Sequence, residues 1–206
     1  MNRCYNFIGA NKYGQYVACL PKNFSVNHGI TSWEMGEILE KNNVFPCELV
    51  LKPFEDKYRN TPVVWHDCMY NEFAYFIASE RLKNFLKARE TENDSIEWIE
   101  VKIRDEETTK NYYILMLKNK PNVIDEKNTK YFLEDHSILV PCISLEKAQK
   151  YSVFTPDELF WKFPSLIYTT EKIKKELQNA KFSNLHFELK QPDEKLEPIR
   201  FDDQCQ

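Results

Sequence analysis

Two periods of apolar spacing alternate along the chain, and the period separates strands from helices. Cys4-Tyr5-Asn6-Phe7-Ile8 and Gln15-Tyr16-Val17-Ala18-Cys19 are extended runs on either side of a turn-rich stretch from Asn11 to Gly14, which predicts an opening hairpin. Thr31 with Glu34 three places later forms a capping box, and Met35, Ile38 and Leu39 then recur at helical spacing. That predicts a short amphipathic helix ending near Lys41. Cys47 to Leu51 reads as a strand. Lys52 to Pro62, with two prolines and five charges, reads as a surface loop, and Val63-Val64-Trp65 as a short strand after it.

From Tyr75 the pattern sharpens. Phe76-Ile77-Ala78 is extended, Ser79 is a good N-cap, and Leu82, Phe85 and Leu86 fall on one helical face. Ile96 to Ile103 is a strand whose apolar positions change phase between Trp98 and Ile99, so it carries a bulge or is buried on both faces. Tyr112 to Leu117 is apolar without alternation, as a central strand covered on both faces should be. The charged stretch between these two strands predicts that they pair as a hairpin. Ser137 to Cys142 and Ser165 to Tyr168 read as strands, Thr155-Pro156-Asp157-Glu158 as a helix start, and Thr170 to Leu177 as a helix leading into the strand Leu185 to Leu189.

The helices opening at Ser79 and at Thr170 begin 91 residues apart and share three identities in eight positions, with three further conservative matches. An internal repeat accounts for this, and so does the common grammar of two capped basic helices. The whole pattern predicts one α+β domain over residues 1–190, with a mixed, mainly antiparallel sheet flanked by short amphipathic helices. The stretch 191–206 has two prolines and five acids against two bases, and is expected to be a disordered acidic tail.

Composition narrows the function by exclusion. The 206 residues are 42% hydrophobic and 14% aromatic, enough for a core, and the net charge of -4 gives no basic face for nucleic acid. The glycines, Gly9, Gly14, Gly29 and Gly36, match no phosphate-cradling motif, so no nucleotide cofactor is expected. Neither a signal-like apolar segment nor a membrane-length run occurs, which points to a cytoplasmic protein. The six scattered cysteines lack any CxxC pair and read as free thiols. His66-Asp67-Cys68 is the best metal-like trio, yet a structural zinc needs four ligands, so no metal is expected. The acids cluster in turns and on solvated faces, and no serine sits in a GxSxG elbow. Trp65, Trp161 and Phe163 are first of all core aromatics, with partner anchoring as the functional reading.

One resemblance goes further. Phe76-Ile77-Ala78-Ser79-Glu80-Arg81-Leu82, then Ile96 to Val101, Tyr112 to Leu117, Ile167-Tyr168-Thr169-Thr170-Glu171-Lys172-Ile173 and Leu185-His186-Phe187 resemble the bacterial immunity proteins of polymorphic toxin systems. The groups resembled are those numbered immunity protein eleven and forty-three, and the likeness covers roughly residues 45 to 190. Family members carry a glycine before the final strand. Here that stretch is Lys181-Phe182-Ser183-Asn184, and Asn184 is the residue expected to take the left-handed conformation.

The resemblance implies an antitoxin that binds a co-encoded cognate toxin without catalysis. The alternative is a small enzyme or regulatory ligand-binding domain whose site assembles around Trp65, His66, Asp67 and Arg81. The same four residues are the candidate polar site at a protein-binding surface. Arg81 lies in the first helical turn, where a cation opposes the helix dipole, and Asp67 is its expected partner.

Overall fold

The computed structural model describes residues 4–9, 16–22, 24, 32–132, 138–156, 161–164 and 166–189. In chain order these form β1 (Cys4–Gly9), β2 (Tyr16–Cys19), α1 (Ser32–Asn42), β3 (Leu49–Pro53), β4 (Cys68–Met69), β5 (Ile77–Ser79), α2 (Glu80–Lys87), β6 (Ile96–Arg104) and β7 (Thr109–Leu117). There follow β8 (Lys130–Tyr131), β9 (Ile138–Val140), α3 (Leu145–Ala148), β10 (Val153–Phe154), β11 (Ile167–Thr170), α4 (Glu171–Asn179) and β12 (Leu185–Leu189). The acidic tail, the turn at Asn11 to Gly14, Thr31 of the capping box and Asp157-Glu158 lie outside the described residues. No helix is long and apolar enough to cross a membrane, among the described residues.

The fold is α+β with mainly antiparallel pairing. A six-stranded sheet runs β2-β3-β6-β7-β5-β4, a four-stranded sheet β10-β11-β1-β12, and β8 and β9 make a ribbon. The β3–β6 pair is parallel and makes the larger sheet mixed. The predicted hairpin is β6 with β7, in unbroken register from Ile96↔Leu117 to Arg104↔Thr109.

That register decides what the phase change in β6 means. There is no bulge: Ile99, Val101 and Ile103 enter one hydrophobic cluster with Met35 and Leu39 of α1, while Ile96 and Trp98 pack on a second cluster. β7 is divided the same way, Tyr112, Ile114 and Met116 to the first cluster and Leu115 and Leu117 to the second. Its continuous apolar run is therefore the mark of a strand buried on both faces.

The two strand-helix-strand units predicted from sequence have the same topology. In the first, β4 pairs with β5, and β5 and β6 flank β7; in the second, β10 pairs with β11, and β11 and β12 flank β1. Registers match as well, since Ala78 pairs with Cys68 and Tyr113, and Thr169 with Val153 and Tyr5. The second unit thus takes its central strand from the far N-terminal end of the chain. Leu82 and Leu86 of α2 and their counterparts Ile173 and Leu177 of α4 are all buried, in the one second cluster, together with Cys68, Phe76, Val153 and Ile167. The units share a core.

Two expectations are corrected. β1 and β2 do not form a hairpin, because both edges of β1 are occupied by β11 and β12 while β2 pairs with β3. Val63-Val64-Trp65 joins no ladder; the Trp65 ring instead stacks on Tyr112 at 6.1 Å between centroids. The expectation at Asn184 is met by the backbone, with φ at 61°.

Candidate functional site

Asp67 is the residue before β4, and its carboxylate closes the N-terminus of α2. The Ser79 hydroxyl accepts from the Leu82 N–H at 3.2 Å and donates to Asp67 Oδ1 at 2.8 Å. The Ser79 N–H donates to the Asp67 carbonyl at 2.7 Å. Asp67 Oδ2 accepts from the Ser183 N–H at 2.9 Å, the Ser183 hydroxyl at 3.1 Å and Arg81 Nη1 at 3.4 Å. A carboxylate here meets the positive end of the helix dipole and several donors at once. Its side chain is only 12% exposed, against 56% for Arg81.

Arg81 was the anomaly of the sequence, a cation at the wrong end of a helix. Besides the Asp67 carboxylate it finds the Ala180 carbonyl at 2.6 Å, and its guanidinium lies 4.2 Å from the centroid of the Phe182 ring. These contacts tie α2 to the turn before β12. Trp65 and His66 are held from another side, for the Tyr112 hydroxyl donates to the His66 carbonyl at 2.8 Å, and Lys110 Nζ sits 4.8 Å from the Trp65 ring centroid. The structure therefore brings Asp67 and Arg81 into contact and attaches Trp65 and His66 to β7. The Asp67 carboxylate is committed to neighbouring parts of the chain. On the surface beside it, Val64 is half-exposed, more than half of the Arg81 side chain is exposed, and Trp65 and Phe182 are partly so.

A second polar cleft was not found from sequence. The register that equates Ala78 with Thr169 also equates Asp67 with Ser152, Ser79 with Thr170 and Arg81 with Lys172. At the second set of positions lies a cavity of about 470 Å³ whose lining includes Arg89, Glu90, Ser152, Thr170, Lys172 and Glu176. Ser152 is 2% exposed, and its hydroxyl is buried with no hydrogen-bond partner. Thr170, unlike Ser79, gives α4 no side-chain cap. Arg89 is taken up by Glu176 at 2.5 Å and stacks on Phe85 at 3.4 Å. Burial, and next the nearby Asp94, push the Glu90 carboxyl above its ordinary range. The 91-residue offset aligns Arg81 with Lys172 but misses Asp67 with Ser152, because the segments between β4 and β5 and between β10 and β11 differ in length.

Three of the thiols are poor nucleophiles. Burial pushes Cys19 and Cys47 up to about 11 and Cys68 up to about 12, so all three are protonated at neutral pH. Cys68 is buried beside Asp67, and no cluster of histidine, cysteine and carboxylate suited to a metal occurs among the described residues.

The description Immunity protein family (Imm11) belongs to the family that matches this chain, over residues 45–190. That span runs from just before β3 to the end of β12. No curated protein matches the chain.

Proposed function

The chain belongs to the Imm11 immunity protein family, and from that premise we propose that it neutralises a toxin protein by binding it stoichiometrically, without chemistry of its own. The family match over residues 45–190 carries the reading. The surface beside the Asp67 joint supports it. Arg81 stacked on Phe182, and Trp65 flanked by Lys110 and Val64, supply the arginine and aromatic groups that dominate protein–protein binding energies. The raised thiols agree with a protein that performs no cysteine chemistry.

The test is co-expression with the product of the reading frame beside its gene. A stable complex and rescue of growth are expected. Absence of both, with the two proteins soluble, removes the reading. Within that complex, Arg81→Ala and Trp65→Ala are expected to weaken affinity by tenfold or more, the loss typical of a central interface side chain.

A further inference from the structure

The two units differ at one chemical group. At the start of α2 a carboxylate, that of Asp67, bridges the capping hydroxyl of Ser79 and the basic side chain of Arg81. At the start of α4 the same places are held by Thr170, which makes no cap, by Lys172, which makes no ion pair among the described residues, and by Ser152, whose buried hydroxyl has no partner. An open cleft of about 470 Å³ stands there.

We propose that this cleft receives the carboxylate of an acidic side chain from the bound toxin, supplying in trans what Asp67 supplies in cis. The inference rests on the immunity reading and specifies one contact of it. Three kinds of donor stand at the cleft: the Ser152 hydroxyl, the Lys172 ammonium and the backbone N–H groups of Lys172 and Ile173 in the first turn of α4, a nine-residue helix whose N-terminus carries the positive end of its dipole.

The nearby charges leave room for an anion. Arg89 and Glu176 neutralise each other. Both oxygens of the Asp94 carboxylate face the Ser152 N–H, and one also accepts from the Thr91 N–H. Glu90, whose carboxyl is pushed up by burial and then by Asp94, lies on the side shared with the adjoining cleft beside Trp98. The occupant is a side-chain carboxylate because the first unit already seats one, on the same fold and against the same kinds of groups.

The test has two arms. In the first, N-acetyl-glutamate amide is titrated into the isotope-labelled protein, with N-acetyl-glutamine amide and inorganic phosphate as controls. Saturable shifts of the Lys172 and Ile173 amides with the glutamate probe alone, reduced at least tenfold in apparent affinity by Lys172→Ala and by Ser152→Ala, are expected. Equal response to glutamine, response to phosphate only, or no saturable response overturns the proposal. Ser152→Ala should leave the melting temperature unchanged or higher, since it removes a buried hydroxyl that bonds to nothing; a fall would make Ser152 a structural residue and also count against the cleft.

In the second arm, affinity for the neighbouring-frame product is measured with Lys172→Glu. A loss of tenfold or more supports the proposal, while unchanged affinity removes the cleft from the interface and leaves the immunity reading standing. If the wild-type protein does not bind that product at all, the immunity reading fails instead, and the glutamate titration still decides whether the cleft is a carboxylate site.

Discussion

Asp67 and Ser183 lie 116 residues apart and share three hydrogen bonds: the Asp67 N–H donates to Ser183 Oγ, and the Ser183 N–H and hydroxyl both donate to Asp67 Oδ2. This pair closes the joint between the first unit and the turn that starts β12. The opposite joint has the same form with the chemistry exchanged, the Ser152 N–H donating to the Asp94 carboxylate.

Asp67→Ala is expected to lower stability by about 2 to 3 kcal/mol, the scale of charge-assisted hydrogen bonds lost from a mostly buried site. Arg81→Ala should cost no more than about 1 kcal/mol, because more than half of that side chain is in water. Urea denaturation of the two variants checks the order. Equal losses would mean that the ion pair, and not the capping network, holds the joint.

Leu86→Ala and Leu177→Ala are each expected to cost about 2 to 5 kcal/mol, as for buried leucines elsewhere. Because both side chains enter one cluster, each variant should still unfold in a single transition followed by circular dichroism and by tryptophan fluorescence. Separate transitions for the two probes would show that the sheets are held by independent cores.

Raised acid groups fix the sign of the alkaline response. Cys19, Cys47 and Cys68 hold their protons more tightly when folded, with values of about 11, 11 and 12 against 9.0, so the unfolded chain binds fewer protons across that interval. Their contribution is fully present below pH 9 and is lost as pH rises through 11 to 12. Burial shifts Tyr75 and Tyr112 the same way. Thermal melts should show a steady fall above about pH 9, and at pH 8 these three thiols should react with a disulfide reagent far more slowly in native than in denatured protein. A flat melting temperature between pH 9 and 11 would contradict this.

At Asn184 the backbone is left-handed, and its side-chain Nδ2 donates to the Cys68 carbonyl at 2.8 Å. Asn184→Ala is expected to lose about 2 kcal/mol, combining a left-handed residue with a Cβ and a lost hydrogen bond. Asn184→Gly should fall between wild type and alanine, because it relieves the backbone while losing the bond. Chemical denaturation ranks the three, and alanine above glycine would refute the backbone account.

Local features were legible because they depend on neighbours in sequence. Ser79 as an N-cap, the β6–β7 hairpin and the burial of both faces of β7 follow from spacing and residue type alone. Asp67 with Arg81 could be named as a pair, since a cation in a first helical turn calls for a carboxylate. The partners at Ser183 and Ala180 could not be, as nothing within a few residues of Asp67 points across the chain. The opening hairpin failed for the same reason. Two short strands around a turn look alike whether they pair with each other or go to different sheets, and only the long-range pairing of β1 with β11 and β12 decides. α3 leaves no mark in the sequence because four residues are too few to show a period.

The placement of β1 has a consequence for synthesis. Ile167, where β11 begins, follows Gly9, where β1 ends, by 158 residues. At ribosomal rates that interval lasts roughly 8 to 30 s. Throughout it β1, the strand that β11 and β12 will flank, stays without either neighbour, a period in which chaperone capture or pairing with another nascent chain competes with folding. Slowing elongation between the codons of Gly9 and Ile167 should therefore lower the soluble yield.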